Sequence, residues 1–343
     1  MTTDDKMARA LVIAPAFFGY EKDIVSEFER QGYDTTFIDE RPSNSAAIRA
    51  MLRARRGLVV GRIDKYYRAK LSELRAIRFD IALVIKAEVV PRWFLQELRR
   101  INPGARFVYY AYDAVDNVKH CLEVLDLFDQ KFSFDRDDVE NRPELSYLPL
   151  FYTSDFSPLP QLVSKARQYT LSFVGTLHTE RYAYAKKIFG NRPKTFGFFY
   201  VQARWYFAFV KYLTKEHRSV PWSDVSFNKL TRSEVADIFR NSVAVLDMPR
   251  SGQSGLTIRT FEVLASGSVL ITTNPAIVRE PFFDPDRVIV VPGDWESLGR
   301  DDLLGRLDHI RPLSGPPEKF SLYSLESWVR SITARPLTQQ HHR

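Results

Sequence analysis

Arg259 and Glu262 stand three residues apart in the stretch GLTIRTFEVLASGSVLITTN (residues 255–274). On a helix that spacing puts both on one face. The preceding Gly252-Gln253-Ser254-Gly255 is a small, polar loop opening onto the helix start. There, free backbone N–H groups and the positive end of the helix dipole suit a diphosphate. Gln253, Ser254, Gly255, Leu256 and Thr257 are therefore candidate donor-side contacts. Arg259 would neutralise a departing diphosphate, and the Glu262 carboxylate, one to two turns into the helix, would reach vicinal ribose hydroxyls. The bland alternative is an i, i+3 salt bridge on an ordinary surface helix. Taken together, the residues suggest a nucleotide-sugar site.

Other chemistry-bearing residues follow apolar runs. Gly175-Thr176 closes the run 171–174, with His178 and Arg181 just beyond it. In α/β proteins the carboxyl ends of strands are where ligands bind. In the first half, Asp113 follows the run 106–111 and could serve as general base toward a hydroxyl. Alternatively Asp113 or Asp116 caps a helix. Lys86 and Glu88 follow the run 80–85, and Phe17-Phe18-Gly19-Tyr20 follows 9–14. Phe18, Gly19, Lys86, Glu88 and Asp116 are the acceptor-side candidates; Asp113 and His178 are the proton-transfer candidates. Asp135-Arg136-Asp137 fits a metal-binding DxD pattern, but aspartates at a helix start serve the cap and dipole instead. No HExxH, P-loop or GxSxG pattern is present.

The elements that must position these residues alternate between strand and helix, which argues for α/β layering on parallel sheets. Strands are expected at 9–14, 34–38, 80–85, 106–111 and 130–134, then at 169–174, 243–248, 268–273 and 287–291. Helices are expected at 21–31, 91–101 and 115–127, then at 231–241, 256–265 and 294–310. Pro91 suits a first helical turn, and Asn102-Pro103-Gly104 ends that helix. The prolines at 149, 158 and 160 mark a linker over 149–165. The expected organisation is an α/β fold of two Rossmann-like domains facing a cleft, residues 1–160 and 161–315. A segment 316–343 follows, with a helix near 322–333 crossing back to the first domain and a frayed tail.

Composition sets the outer limits. At 343 residues with 45% apolar side chains, the chain is long enough for two cores. Its single cysteine, Cys121, excludes an internal disulfide and reads as a buried apolar side chain. A polar start and no apolar run of about 20 residues predict a cytoplasmic protein without signal peptide or membrane span. The net charge of +7 is concentrated: residues 49–100 hold 14 Lys and Arg against 5 Asp and Glu. That stretch is either a solvated helical face or a surface for an anionic partner. No nucleic-acid-binding motif accompanies it, so nucleic acid is not an expected partner. Residues 196–212 pack nine aromatics beside Arg204 and Lys211. They read as a helix and its entry loop buried in the second domain, or else as a segment inserted at a membrane interface.

The segment 255–274 resembles the donor-binding core of GT-B glycosyltransferases. FSFDRDDVENRPELSYLPLFY (residues 132–152) and LSFVGTLHTERY (residues 171–182) resemble the branch of spore-maturation-protein-like and capsule- or lipopolysaccharide-type enzymes. The resemblance covers roughly residues 81–274. It implies acceptor bound mainly by the first domain and donor by the second, with the 175–181 loop beside the diphosphate and Glu262 on the ribose. It also implies no metal and no cofactor beyond a nucleotide-diphosphate sugar as co-substrate. The expected function is transfer of that sugar to a hydroxyl of a cell-surface glycan or lipid-linked saccharide, with peripheral contact at the inner membrane face. The alternatives are a nucleotide-sugar epimerase or hydrolase, or a non-catalytic sugar-nucleotide binder in envelope or coat assembly. One departure stands out: many retaining members carry a glutamate eight residues before the helix glutamate, where this chain has Ser254.

Overall fold

Strands covered on both faces need near-continuous apolar runs, and the computed structural model builds both halves of the chain from such strands. It describes residues 7–42, 60–157, 166–214, 216–249, 254–293, 305, 310 and 315–335. Two units divide the chain: Met1–Pro149 with Leu325–Arg343, and Leu150–Ser324.

The first unit holds β1 (Ala8–Ala14), β2 (Tyr33–Asp39), β3 (Ile81–Ile85), β4 (Arg106–Ala111), β5 (Gln130–Ser133) and β6 (Ser146–Tyr147), all paired in parallel in the order β2-β1-β3-β4-β5-β6. Every residue of β3 is buried. Helices α1 (Tyr20–Arg30), α2 (Val60–Leu74), α3 (Arg92–Ile101) and α4 (Arg136–Asn141) accompany the sheet. The chain leaves β1 to one side and returns to β3 on the other, so the topological switch point lies between the carboxyl ends of β1 and β3.

The second unit holds β7 (Tyr169–Thr176), β8 (Thr195–Tyr200), β9 (Val225–Ser226), β10 (Ser242–Asp247), β11 (Val269–Thr272) and β12 (Val288–Val290), again all parallel. Their order, β9-β8-β7-β10-β11-β12, is the 3-2-1-4-5-6 order of the dinucleotide-binding fold, with its switch point between β7 and β10. Helices α5 (Thr179–Phe189), α6 (Arg204–Phe209), α7 (Arg232–Arg240) and α8 (Ile258–Ala265) belong here. The two Rossmann-like α/β domains read from the sequence are both present.

Four local readings need correction. Residues 115–127 form consecutive 3₁₀ turns, Val115–Asn117, Lys119–Glu123 and Leu125–Leu127, in place of an α-helix. Val115, Val118, Cys121 and Val124 are buried. Burial at every third residue is the 3₁₀ repeat, and three β-branched valines weaken the α alternative. Pro91 is the N-cap of α3, one position before its first turn. The aromatic stretch opens with the strand β8, and the α6 that follows is largely exposed. Residues 150–157, expected in the linker, pack in the second unit, where Phe156 lies 5.8 Å from Phe239 and Arg240 Nη1 donates to the Asp155 carbonyl. The rest of the expected linker, the tail, and nearly all of the helix expected at 294–310 lie outside the described residues.

The chain re-enters the first unit at Leu325 as α9 (Leu325–Thr333). Leu325, Trp328, Val329 and Ile332 recur at helical spacing and are buried, with the Trp328 ring 4.8 Å from Tyr110. A helix leaves its last carbonyls unpaired, and here Arg106 collects them. Its guanidinium donates to Ile332 O (2.9 Å), Thr333 O (2.7 Å) and Ala334 O, while Gln31 Nε2 donates to Glu326 O at 3.0 Å. Arg106→Ala is expected to lower the stability of the first unit by about 2 kcal/mol, since hydrogen bonds to a charged donor are worth about 1.5–3 kcal/mol. Urea denaturation monitored by Trp fluorescence would show the midpoint shift; an unchanged midpoint would mean that α9 docks by its apolar face alone.

Candidate functional site

At the second unit's switch point, the side chain closing β10 sets how the next helix begins. Asp247 is 4% exposed, and its Oδ2 accepts from Thr257 Oγ1 at 2.8 Å and from Thr260 Oγ1 at 3.2 Å. Thr257 is the N-cap of α8, but with its hydroxyl on Asp247 it makes no side-chain cap, and no acidic residue occupies the first turn. The helix therefore begins with a positive dipole end that its own cap does not answer. Arg259, in that first turn, adds a guanidinium. Its Nη1 donates to the Val174 carbonyl on β7, and its buried Nε has no partner among the described residues. One side chain thus spans the gap between β7 and α8 immediately before Gly175.

Gly175 lies within β7, and a Cβ there would stand 2.8 Å from Phe173 Cζ, whose ring stacks on Phe199 at 5.1 Å. The glycine makes room for a core ring; it is not a turn. Thr176 closes the strand and is exposed; His178 is the exposed N-cap of α5 without a side-chain cap, and Arg181 is half-buried in the first turn of that helix. Glu262 is 3% exposed, which excludes a solvated surface glutamate. Leu256 and Gly255 are buried, Ser254 and Thr257 half-buried, and Gln253 lies outside the described residues. Asn274 fastens the loop: its Nδ2 donates to Ser254 O (3.0 Å) and Gly255 O (3.3 Å) while its Oδ1 accepts from Ala276 N (3.0 Å). Sequence reasoning passed over both Asp247 and Asn274. The signals were a carboxylate ending an apolar run and an Asn-Pro pair at a strand exit.

At the first unit's switch point the acceptor-side candidates form two groups. Phe18 and Gly19, after β1, take consecutive left-handed conformations (φ 53° and 84°), and Phe18 is exposed. Glu21 Oε2 accepts from Phe17 N at 3.0 Å, holding the loop onto α1. After β3, Lys86 and Ala87 are also consecutively left-handed (φ 75° and 53°), a strained arrangement for residues with a Cβ. Lys86 Nζ lies 3.6 Å from Asp113 and 3.8 Å from Glu88, and Glu88 pairs with Arg41 at 2.5 Å. Lys86, Glu88 and Asp113 are therefore brought together. Asp113 Oδ1 also accepts from Ala114 N (3.1 Å) and Asn117 Nδ2 (3.2 Å). Asp116 is elsewhere, in an exposed pair with Arg142 at 3.1 Å. Asp135 caps α4 by accepting from Asp137 N, the role expected of the DxD-like triplet.

Beneath this cluster lies Glu40, fully buried, with Oε1 accepting from Val89 N at 2.8 Å and Oε2 without a partner among the described residues. Burial pushes its pKa up to about 7; the Val89 amide opposes the shift, the neighbouring Glu88 adds to it, and Lys86 and Arg41 oppose it. A carboxyl with a higher pKa folded than unfolded holds its proton more tightly in the native state. Its contribution to stability is complete below the unfolded value and is lost as pH rises through about 7. The loss is about 3 kcal/mol at 1.36 kcal/mol per unit. Glu40→Gln should flatten the fall in unfolding free energy between pH 5 and pH 8; a slope equal to that of the unaltered protein would mean that another group carries it.

Residues 172–309 match the family model described as glycosyl transferase-like. The second unit carries a glycosyl transferase-like domain. Asp247, Thr257, Arg259 and Asn274 all fall inside it. No curated protein sequence matches the chain at a significant level. Among solved structures, sucrose-phosphate synthase from Thermosynechococcus elongatus superposes with a TM-score of 0.63 at 12% identity, over 95% of this chain and 97% of that one. HepE of Anabaena, solved with UDP-glucose, gives 0.60 at 8% identity over 94% and 98%. The UDP-GlcNAc 2-epimerase of Methanocaldococcus jannaschii gives 0.51 at 10% over 95% and 99%. At such identities the likeness concerns the fold, which is the GT-B fold of two Rossmann-like domains.

Proposed function

We propose that the protein is a glycosyltransferase that moves a sugar from a nucleotide-diphosphate sugar to a hydroxyl of a cell-surface glycan or lipid-linked saccharide. The observation that carries this reading is the bridge from Arg259 to the Val174 carbonyl. It sets a guanidinium beside an uncapped helix start at the switch point of a glycosyl transferase-like domain. In glycosyl transfer the leaving diphosphate gains negative charge as the anomeric bond breaks. A cation and helix amides already in place stabilise that charge without reorganisation, which is the basis for proposing a metal-independent reaction. In this reading Glu262 holds the ribose, and Gly175, Thr176, Arg181 and residues 253–257 surround the diphosphate and sugar. On the first unit, Phe18, Gly19, Lys86, Glu88 and Asp116 are the proposed acceptor contacts. Asp113 is the proposed base for the acceptor hydroxyl, with His178 the second candidate for proton transfer. A place in the branch of capsule- and lipopolysaccharide-type enzymes, and a cytoplasmic site at the inner membrane face, belong to the same proposal. No helix among the described residues is long and apolar enough to cross a membrane.

The likeness to a UDP-GlcNAc 2-epimerase favours a second reading, an epimerase or hydrolase that converts the donor alone. Thermal-shift titrations with UDP, GDP, CDP, CMP, dTDP and their sugars, on the protein and on Glu262→Ala, test the donor site first. A ligand at 100 times its Kd stabilises by about 2.7 kcal/mol. Selective stabilisation by one nucleotide, lost in Glu262→Ala and reduced in Arg259→Ala, is the expected result. No shift with any of them would overturn the reading. Product formed from the donor without acceptor, other than slow hydrolysis, would move the assignment to the epimerase class.

A further inference from the structure

Six large apolar side chains of the second unit stand out of it within one short span. Trp205 and Leu213 are 71% exposed and Tyr212 is 63% exposed; Tyr206, Phe209 and Trp222 are exposed as well. Apart from these, the exposed large apolar residues described in this unit are Val278 and Leu322. Clustering of this kind marks a surface that meets something other than water.

The span is held rigidly from below, so its outward residues are not loose. Phe207 and Val210 are buried under α6 and the widened π-helical turn Val210–Thr214 that continues it. Phe207 packs edge-on against Trp222 at 4.8 Å. Lys211 turns inward and donates to the carbonyls of His217 (3.3 Å), Arg218 (2.7 Å) and Val220 (2.6 Å), fastening the following loop beneath the helix. Trp222 Nε1 donates to Tyr212 OH at 3.2 Å, joining loop and helix. Positions 205, 209, 212 and 213 follow the i, i+4, i+7, i+8 pattern of one helical face.

The chemistry of the face and its border selects the partner. Residues 201–222 contain Arg204, Lys211, Lys215 and Arg218 against the single acid Glu216. Arg204, whose guanidinium lies 4.9 Å from the Phe227 ring, and Arg218 are exposed at the border of the patch. Aromatic side chains with a polar tip, on an amphipathic helix bordered by cations, match the headgroup layer of an anionic bilayer. Basic residues near such a surface strengthen the attachment. We propose that α6 and the turn after it form a membrane-contact surface that inserts Trp205, Phe209 and Leu213 into the interface of anionic lipid. This rests on the membrane-contact part of the function proposed above and not on its chemistry.

Flotation of the full chain with vesicles of phosphatidylglycerol and phosphatidylcholine, against phosphatidylcholine alone, tests the inference. The expected result is flotation with the anionic vesicles, reduced at least tenfold by Trp205→Ser/Phe209→Ser/Leu213→Ser and weakened by Arg204→Glu/Arg218→Glu. Brominated phosphatidylglycerol should quench Trp fluorescence in the unaltered protein. In Trp205→Phe/Trp222→Phe, which keeps the apolar surface, quenching should vanish while flotation persists. Unaltered thermal shifts with nucleotide would show that the triple variant is folded and that the donor site is separate. The inference is overturned if the unaltered protein does not float, or if the triple variant floats equally. It is also overturned if flotation is absent and light scattering shows a dimer that the triple variant dissociates, which would assign the face to a second copy of the chain.

Discussion

The carboxylate of Asp247 decides how helix α8 begins. It ends β10, is buried, and receives the hydroxyls of Thr257 and Thr260. A buried carboxylate needs such donors, because an unpaired one is costly away from water. The consequence reaches further than its own satisfaction. The N-cap hydroxyl that would ordinarily close the helix onto itself is drawn away, so the helix starts open at the switch point of the sheet. Arg259 reinforces the charge of that open end, and Asn274 pins the loop that leads into it. Three polar anchors thus hold a cationic helix start in place before any ligand arrives, the kind of preorganisation that the proposed role toward a departing anion calls for.

The first unit's edge is built differently. Its loops after β1 and β3 each contain two successive left-handed residues, and the pair Lys86-Ala87 has no glycine to relieve it. Strain of this kind persists only where neighbours overdetermine it. Here they are the Glu40 carboxylate on the Val89 amide, the Arg41–Glu88 pair and the Lys86 amide on Tyr110 O. Because Glu40 is both the deepest of these groups and the one whose charge changes near neutrality, the rigidity of this edge is coupled to pH.

Nine of the twelve described strands were legible in the sequence because buried parallel strands run apolar, and β4 was read to its exact residues, 106–111; β6, β8 and β9 were not. The grouping of Arg259 with Glu262 on one buried helix was legible from spacing. What was not legible were contacts that depend on tertiary placement. Gly175 also read as a turn glycine, and that reading yields to a ring two residues earlier on its own strand. The bounds of helix α2 were hidden by its charges, although Ile63, Tyr67, Leu71 and Leu74 recur at helical spacing and are buried; on its polar side Arg68 lies over Trp93 and Lys70 pairs with Glu73. The most basic part of that stretch, Arg49 to Arg56, lies outside the described residues. The 3₁₀ turns after β4 were misread because repeats of three and of 3.6 residues diverge only slowly over a dozen positions.

The route of the chain has its own consequence for biogenesis. The second unit is one continuous segment, Leu150–Ser324, whereas the first is completed by α9 from the far end of the chain. Tyr110 and the Arg106 guanidinium wait for Trp328 and for the last carbonyls of that helix. During synthesis, at about 5–20 residues per second, the amino-terminal sheet emerges first yet lacks part of its own cover. The unit translated second is therefore complete once its own last residue has emerged. The one translated first spends roughly ten seconds or more with an apolar flank uncovered, an interval in which a chaperone has something to hold.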